Sequence, residues 1–408
     1  MRIAPRTEPL REAMSRDERL YLDHNASAPL LAEARAALID SLDAANASSV
    51  HSEGRAARKL VESARDELAR LVGCDAEQIA FTSGASEAAT TCLSPRWLVD
   101  GQETQVLHLA VIDTDHPCVR DGGAFAPADV TRLPVDADGI VDCAALAAWA
   151  ETLEDGITGL LALTLANSET GVLQPLDDIR TAIADRPVRL ILDVVQMIGR
   201  IGFDFAASGA DAAFVSGHKF GAAKGVGAMM FRDPATRPFA LVRGGGQEKG
   251  RRAGTEAVPA IASLGAAARI ARQRLEHAPD DLMALRRYLE TALLAQVPQA
   301  TLLGGHAPRL PNTVAIAASG LRAETAQIGL DLAGLAVSAG SACSSGKVGR
   351  SHVVDAMVRG GLQISADDGA IRISFGYDTA THDLDRFVRE YAALAGRAAP
   401  AARAHRAA

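Results

Sequence analysis

Three apolar runs constrain this chain more than anything else in it. Ile157–Ala166, Val188–Leu192 and Ala212–Val215 are hydrophobic with almost no polar alternation, which suits strands covered on both faces. Strands covered on both faces need helices on each side, so the expected class is α/β with a mostly parallel sheet. Each run hands over at once to polar residues: Asn167-Ser168-Glu-Thr-Gly171, then Asp193 with Gln196 three residues on, then Ser216-Gly-His218-Lys219. In open α/β sheets the ligand lies off the carboxyl ends of the strands. Asn167, Asp193 and Lys219 should therefore share one crevice with Ser83 and His116, which follow the shorter strands Ile79–Phe81 and Gln105–Ile112.

Helical spacing fills the intervals. Apolar residues recur over Ser52–Val72, and Gly73 supplies a stop. Residues 30–42 read as a helix, as do two segments between Val258 and Val297, the second being Asp281–Val297. Thr313–Ala317, Leu335–Ser338 and Ala370–Phe375 read as strands in an α+β pattern distinct from what precedes them. The expected organisation is a leader over 1–20, a large domain over 21–258, a smaller domain over 259–396, and a disordered Ala/Arg/Pro tail over 397–408.

Composition excludes several classes. At 408 residues, 48% hydrophobic and a net charge of −8, the chain has room for a large core and no electrostatic footprint for nucleic acid. Residues 1–20 hold no apolar stretch of signal-peptide length, and no run approaches the roughly 18 residues that cross a bilayer, so the expected location is cytoplasmic with no membrane partner. Five cysteines without a C-x-x-C pair suggest neither a disulfide framework nor a metal site.

The 42 basic residues include only five lysines, Lys59, Lys219, Lys224, Lys249 and Lys347. A guanidinium stays protonated, whereas a desolvated ε-amine can lose its proton and condense with an aldehyde. Lys219 follows a buried strand among Ser216, Gly217, His218 and Gly221, a poor setting for a solvated charge. An aldehyde cofactor such as pyridoxal phosphate would need a carboxylate for its ring nitrogen, and Asp193 at a strand end fits. Its phosphate would need N–H and hydroxyl donors, which Ala85, Ser86, Ser216, His218 and Thr255 could supply. The turn Thr82–Glu87 at a helix start suits that role, although taken alone it reads first as a plain N-cap by Ser83 or Ser86, and the two can hold together. His116 could cover the ring and move protons, or simply close a turn. Arg372 is the candidate fork for a substrate carboxylate. Gly340-Ser-Ala-Cys343-Ser-Ser-Gly346 is poorly suited to core packing, which makes Cys343 a candidate reactive thiolate.

Taken in order, these motifs resemble one family. Tyr-Leu-Asp-x-Asn-Ala, Asn-x-Ser-Ser-x-His, Phe-Thr-Ser-Gly-Ala-Ser-Glu, Asp-His-Pro, Asn-x-Glu-Thr-Gly, Asp-x-x-Gln, Ser-Gly-His-Lys, Gly-Arg-Arg-Ala-Gly-Thr and Gly-Ser-Ala-Cys-Ser-Ser are similar, from Tyr21 to Tyr391, to class V, fold-type I pyridoxal phosphate enzymes, and among them to cysteine desulfurases. The resemblance implies a homodimer with a seven-stranded, mostly parallel sheet in the large domain and a smaller α+β C-terminal domain carrying the reactive loop. It implies Lys219, Cys343 and His116 as catalytic residues. It implies Ala85, Ser86, Asn167, Ser168, Asp193, Gln196, Ser216, His218 and Thr255 around the cofactor, with Thr255 reaching the partner subunit's phosphate. Arg372, Asn25 and Asn46 would meet the substrate. The implied reaction takes L-cysteine to L-alanine, leaves a persulfide on Cys343, and passes the sulfur to an acceptor protein for iron–sulfur clusters or another thio-cofactor.

Four departures stand out. Ser168 occupies the position of a usual Asn that reaches the cofactor's ring hydroxyl, Ala47 that of a Pro, and Lys249 that of an Arg. Val348-Gly349-Arg350 replaces the usual Leu-Glu-Pro. A selenocysteine lyase, or another class V lyase or aminotransferase, would share everything except the need for Cys343. A catalytically degenerate scaffold in sulfur trafficking would share the fold but need none of Lys219, Asp193, His116 and Cys343.

Overall fold

The structure, a computed structural model, describes residues 19–154, 158–277, 280–340 and 350–406. The leader up to residue 18 and Cys343 lie outside the described residues.

The central sheet forms where the apolar runs predict it. Strands Thr158–Thr164, Val188–Asp193 and Ala212–Ser216 lie side by side and parallel. The long strand Gln102–Ile112 pairs in parallel with the first of them on one side and with Val130–Leu133 on the other. Gly227–Phe231 follows Ala212–Ser216 antiparallel, and Ile79–Thr82 closes that edge. These make seven strands, the number the resemblance implies, with only Gly227–Phe231 reversed; Val130–Leu133 is not among the strands read from the sequence. Two more, Arg96–Val99 and Arg237–Pro238, extend the sheet beside the first half of Gln102–Ile112, making nine in all.

Alternate residues of the central strands enter two different cores. Leu161, Leu163, Leu190, Leu192, Ala213 and Val215 pack on one face, while Leu160, Ala162, Ile191, Ala212 and Phe214 pack on the other. Two covered faces are the physical reason that the runs lack polar alternation. The helix Ser52–Val72 ends as expected at Gly73, which takes the left-handed φ of 67°. Its buried face, Ala57, Val61, Ala64 and Leu68, meets the helix Val258–His277. A Cβ on Gly265 would stand 2.6 Å from the Ala64 Cα, so glycine sets how closely those helices approach.

The boundary expected near Val258 does not coincide with a change of core. Val258, Ile261, Leu264, Ala267, Ala268 and Ala271 belong to the large core, and the helix Asp281–Gln296 is the first of the chain's later helices to pack in the second. Two adjacent amphipathic helices look alike in sequence; what they pack against does not show there. The second core lies on an antiparallel sheet of Ala300–Leu302, Thr313–Ala318, Ile371–Ser374 and Ser338–Ala339. The expected strand Leu335–Ser338 is instead two short strands. Leu335–Ala336 pairs in parallel with Leu20–Tyr21, and Ser338–Ala339 pairs with Ile371–Ser374. Leu22 thereby sits fully buried in the second core. The tail expected to be disordered from residue 397 continues the helix Thr381–Arg406, in keeping with the helix propensity of Ala and Arg. Among the described residues no helix is long and apolar enough to cross a membrane.

Candidate active site

The carboxyl ends of the parallel strands open into a cleft of about 400 Å³. Its walls include Ala85, Ser86, His116, Ser168, Asp193, Gln196, Ser216, His218 and Lys219, so nine of the expected residues converge there. Strand Ala212–Ser216 ends in a tight turn, Gly217–Lys219, that turns Lys219 into the space. The Lys219 Nζ donates to the carbonyls of Asn25 at 2.7 Å and Ala26 at 3.0 Å.

Asp193 ends its strand fully buried. Its Oδ1 accepts the Val195 N–H at 2.9 Å. Burial raises its pKa to about 6, against the pull of that N–H and of Lys219, so the carboxylate is largely ionised at neutral pH. His116 caps the short helix Pro117–Arg120. Its Nδ1 accepts the Cys118 N–H at 3.2 Å, which leaves the proton of the neutral ring on Nε2. Burial, then Lys219 and His352, push its pKa down to about 4. His116 is thus both a turn-closing residue and a neutral wall of the cleft. His218 is likewise lowered to about 4, by burial and by Lys219 and Lys224, and its Nδ1 lies 3.2 Å from the Ser27 Oγ.

The helix Ala85–Cys92 starts at Gly84 with no side chain capping it. Neither Ser83 nor Ser86 takes the capping role; instead the Ser83 N–H is held by Glu87 Oε2 at 2.8 Å. The first-turn residues of this helix line the cleft beside Ser216 and His218, the arrangement that binds a phosphate.

Five expected residues stand apart from this wall. Asn167 spends its amide on the Thr114 carbonyl and on the N–H groups of Glu169 and Thr170, and the adjacent Ser168 faces the cleft instead. Asn46 bonds the Ser48 N–H within its own turn. Asn25 is buried, with Nδ2 on the Ser168 carbonyl and on Thr313, while its Oδ1 has no partner. Arg372 pairs with Asp23 at 2.7 Å and bonds the Ser168 carbonyl and Ser338, leaving Nε without a partner. Thr255 is exposed and borders a separate cavity with Glu248 and Arg252.

Sequence reasoning passed over Cys118, Thr164 and Lys224, which also line the cleft. Cys118 stands 3.0 Å from His116 Nδ1, and burial holds its thiol far above the usual range. Thr164 joins the Asp193 carboxylate and the His116 N–H through one hydroxyl. The signal for Lys224 was its rarity as a lysine; Thr164, hidden at the end of an apolar run, gave none.

The comparisons with known proteins fit this geometry. Residues 20–387 match the family Aminotransferase class-V. The chain belongs to that family, whose enzymes use pyridoxal 5'-phosphate. It is 36% identical over 381 residues to a cysteine desulfurase of Cereibacter sphaeroides, covering 91% of this chain and 94% of that one. It is 34% identical to the cysteine desulfurase NifS of Azotobacter vinelandii, covering 91% of each. A NifS-like protein from Rickettsia africae superposes with a TM-score of 0.81 at 27% identity, covering 92% of this chain and 99% of that one. The residues present suit the cofactor: an amine at Lys219, a buried carboxylate at Asp193, and an uncapped helix start flanked by hydroxyls.

Proposed function

We propose that the protein is a cysteine desulfurase that takes sulfur from L-cysteine onto Cys343, releases L-alanine, and hands the sulfur to an acceptor protein of iron–sulfur or thio-cofactor assembly. The observation that carries this reading is a cleft uniting Lys219, Asp193 and His116, in a chain that matches desulfurases over nine-tenths of its length. Gly340 and Ser351, which flank the segment bearing Cys343, both approach the Glu169 carboxyl. Ser351 donates to Glu169 Oε2 at 2.6 Å, and a Cβ on Gly340 would stand 2.5 Å from the same oxygen. Glu169 directly follows Ser168, a residue of the cleft wall, in the chain.

Pyridoxal phosphate, when bound, supplies an aldehyde for the substrate amine and an electron-withdrawing ring. Lys219 would hold the cofactor and move the substrate's Cα proton. Asp193 would keep the ring nitrogen protonated, and Ala85, Ser86, Ser216 and His218 would hold the phosphate. His116, neutral with its proton on Nε2, would cover the ring and pass that proton. Asn25 and Arg372 both bond the carbonyl of Ser168 on the cleft wall, and would meet the substrate from behind it. The Cys343 thiolate would attack the substrate sulfur and break its bond to Cβ, the carbon keeping the electron pair and taking a proton to become alanine. We further propose a homodimer in which Thr255 completes the partner's phosphate site.

Cys343→Ala is the test. The variant should keep the visible absorption of bound cofactor and form no protein persulfide from L-cysteine. Sulfur release at the wild-type rate would reject the reading in favour of a lyase that works without Cys343, which comparable alanine formation from selenocysteine would identify.

A further inference from the structure

Behind Lys219, on the side away from the cofactor cleft, lies a second cavity of about 280 Å³. Two guanidiniums face it, Arg200 and Arg274, and neither has a carboxylate partner among the described residues. Arg200 is buried, and its donors go only to neutral oxygens: the Gln196 carbonyl at 2.6 Å and side chain, the His24 carbonyl at 3.3 Å and the Lys219 carbonyl at 3.4 Å. Arg274 stacks over the Tyr377 ring at 5.0 Å. His24 lines the same cavity, its pKa pushed to about 4 by burial and then by both guanidiniums. The two carboxylates at this cavity, Glu33 and Asp378, are exposed at its rim. Leu31, Ile198, Phe220 and Phe375 give the rest of the wall an apolar stretch, beside Asn312.

A buried cation is stable when paired, and a guanidinium met only by neutral oxygens is left without its counter-charge. A cationic end joined to an apolar wall matches a ligand with one anionic head and a short hydrocarbon tail, and the volume is at the low end of small-molecule sites. We propose that this cavity is a second ligand site, built for a small carboxylate with a short apolar tail. Arg200 holds Gln196 and the Lys219 carbonyl, so the site shares a wall with the catalytic cleft while taking its ligand from the opposite side.

The experiment is calorimetric titration of the cofactor-loaded protein with butyrate at constant ionic strength, with n-butanol as the uncharged control. Butyrate should bind saturably and butanol should not. Arg274→Ala should weaken butyrate about tenfold or more, the loss of one charge-assisted pair, with cysteine turnover unchanged. Arg274→Gln serves the same purpose if the alanine variant is unstable, and Arg274→Lys, which keeps the charge, should bind within about threefold of wild type. Absence of saturable binding, or equal affinity in Arg274→Ala and wild type, overturns the proposal. So does binding that survives Arg274→Ala but is lost in Arg372→Ala, since the ligand would then occupy the substrate side of the cleft.

Discussion

At the scale of single residues, Asp115 is a fully buried carboxyl beside His116. Its carboxylate accepts the N–H groups of Ile112 at 2.6 Å and Thr164 at 2.7 Å, tying the His116 turn to the neighbouring strand. Burial nevertheless raises its pKa from 3.8 to about 7. The folded chain therefore holds a proton that the unfolded chain has lost between those values. Its contribution to stability is complete below pH 3.8 and is lost as pH rises through 7, on the order of 1 kcal/mol per pH unit in that window. Asp115→Asn should be less stable than wild type at pH 5, and the gap should narrow by pH 8. Urea unfolding of the cofactor-free protein at both pH values measures it, and a gap that stays constant would reject the assignment. At this scale much of the site was legible: a lysine after a buried strand and an acid at a strand end are local features. The exchange between Asn167 and Ser168 was not. Which of two adjacent polar residues turns inward depends on the Thr114 carbonyl, which lies far away in sequence.

At the scale of elements, the glycine-rich loop is fastened in a way its composition conceals. Arg251 bonds the carbonyls of Glu77 and Ile79, and Arg252 pairs with Glu87 at 3.0 Å. The anchor is Glu248, which meets Arg65 of the helix Ser52–Val72 through two bonds of 2.8 and 2.9 Å and also accepts the Phe81 N–H. Glu248 and Lys249 hold positive φ values of 49° and 55°, a conformation that side chains other than glycine adopt only when their contacts demand it. Glu248→Gln removes the buried counter-charge of Arg65, leaving it only the half-exposed Glu62 at 3.1 Å, and should destabilise the fold by about 3 kcal/mol. Denaturant unfolding reads this directly; a loss below about 1 kcal/mol would mean the pair behaves as a surface contact.

At the scale of the whole molecule, the cleft of one chain lacks the hydroxyl of Thr255, which lies exposed on the loop that Glu248 fastens. The proposed homodimer supplies it from the partner subunit. Sedimentation should give a species of twice 42.5 kDa. Thr255→Ala should weaken pyridoxal phosphate about 10- to 150-fold without changing that mass, as expected for one bond to a charged group. A monomer with wild-type cofactor affinity in Thr255→Ala would remove the partner from the site.

The sequence by itself determined the class of fold, because strands covered on both faces must be apolar throughout, and it pointed to one cleft for Lys219, Asp193 and His116, because each lies at or shortly after the carboxyl end of a strand of that sheet. Tertiary structure alone decided what depends on distant neighbours. It seated Leu22 in the second core and the helix Val258–His277 in the first, turned Ser168 rather than Asn167 toward the cleft, and gathered Arg200 and Arg274 around a second cavity. Each of these is set by packing between segments far apart in the chain, and local pattern carries no information about which partner a face will meet.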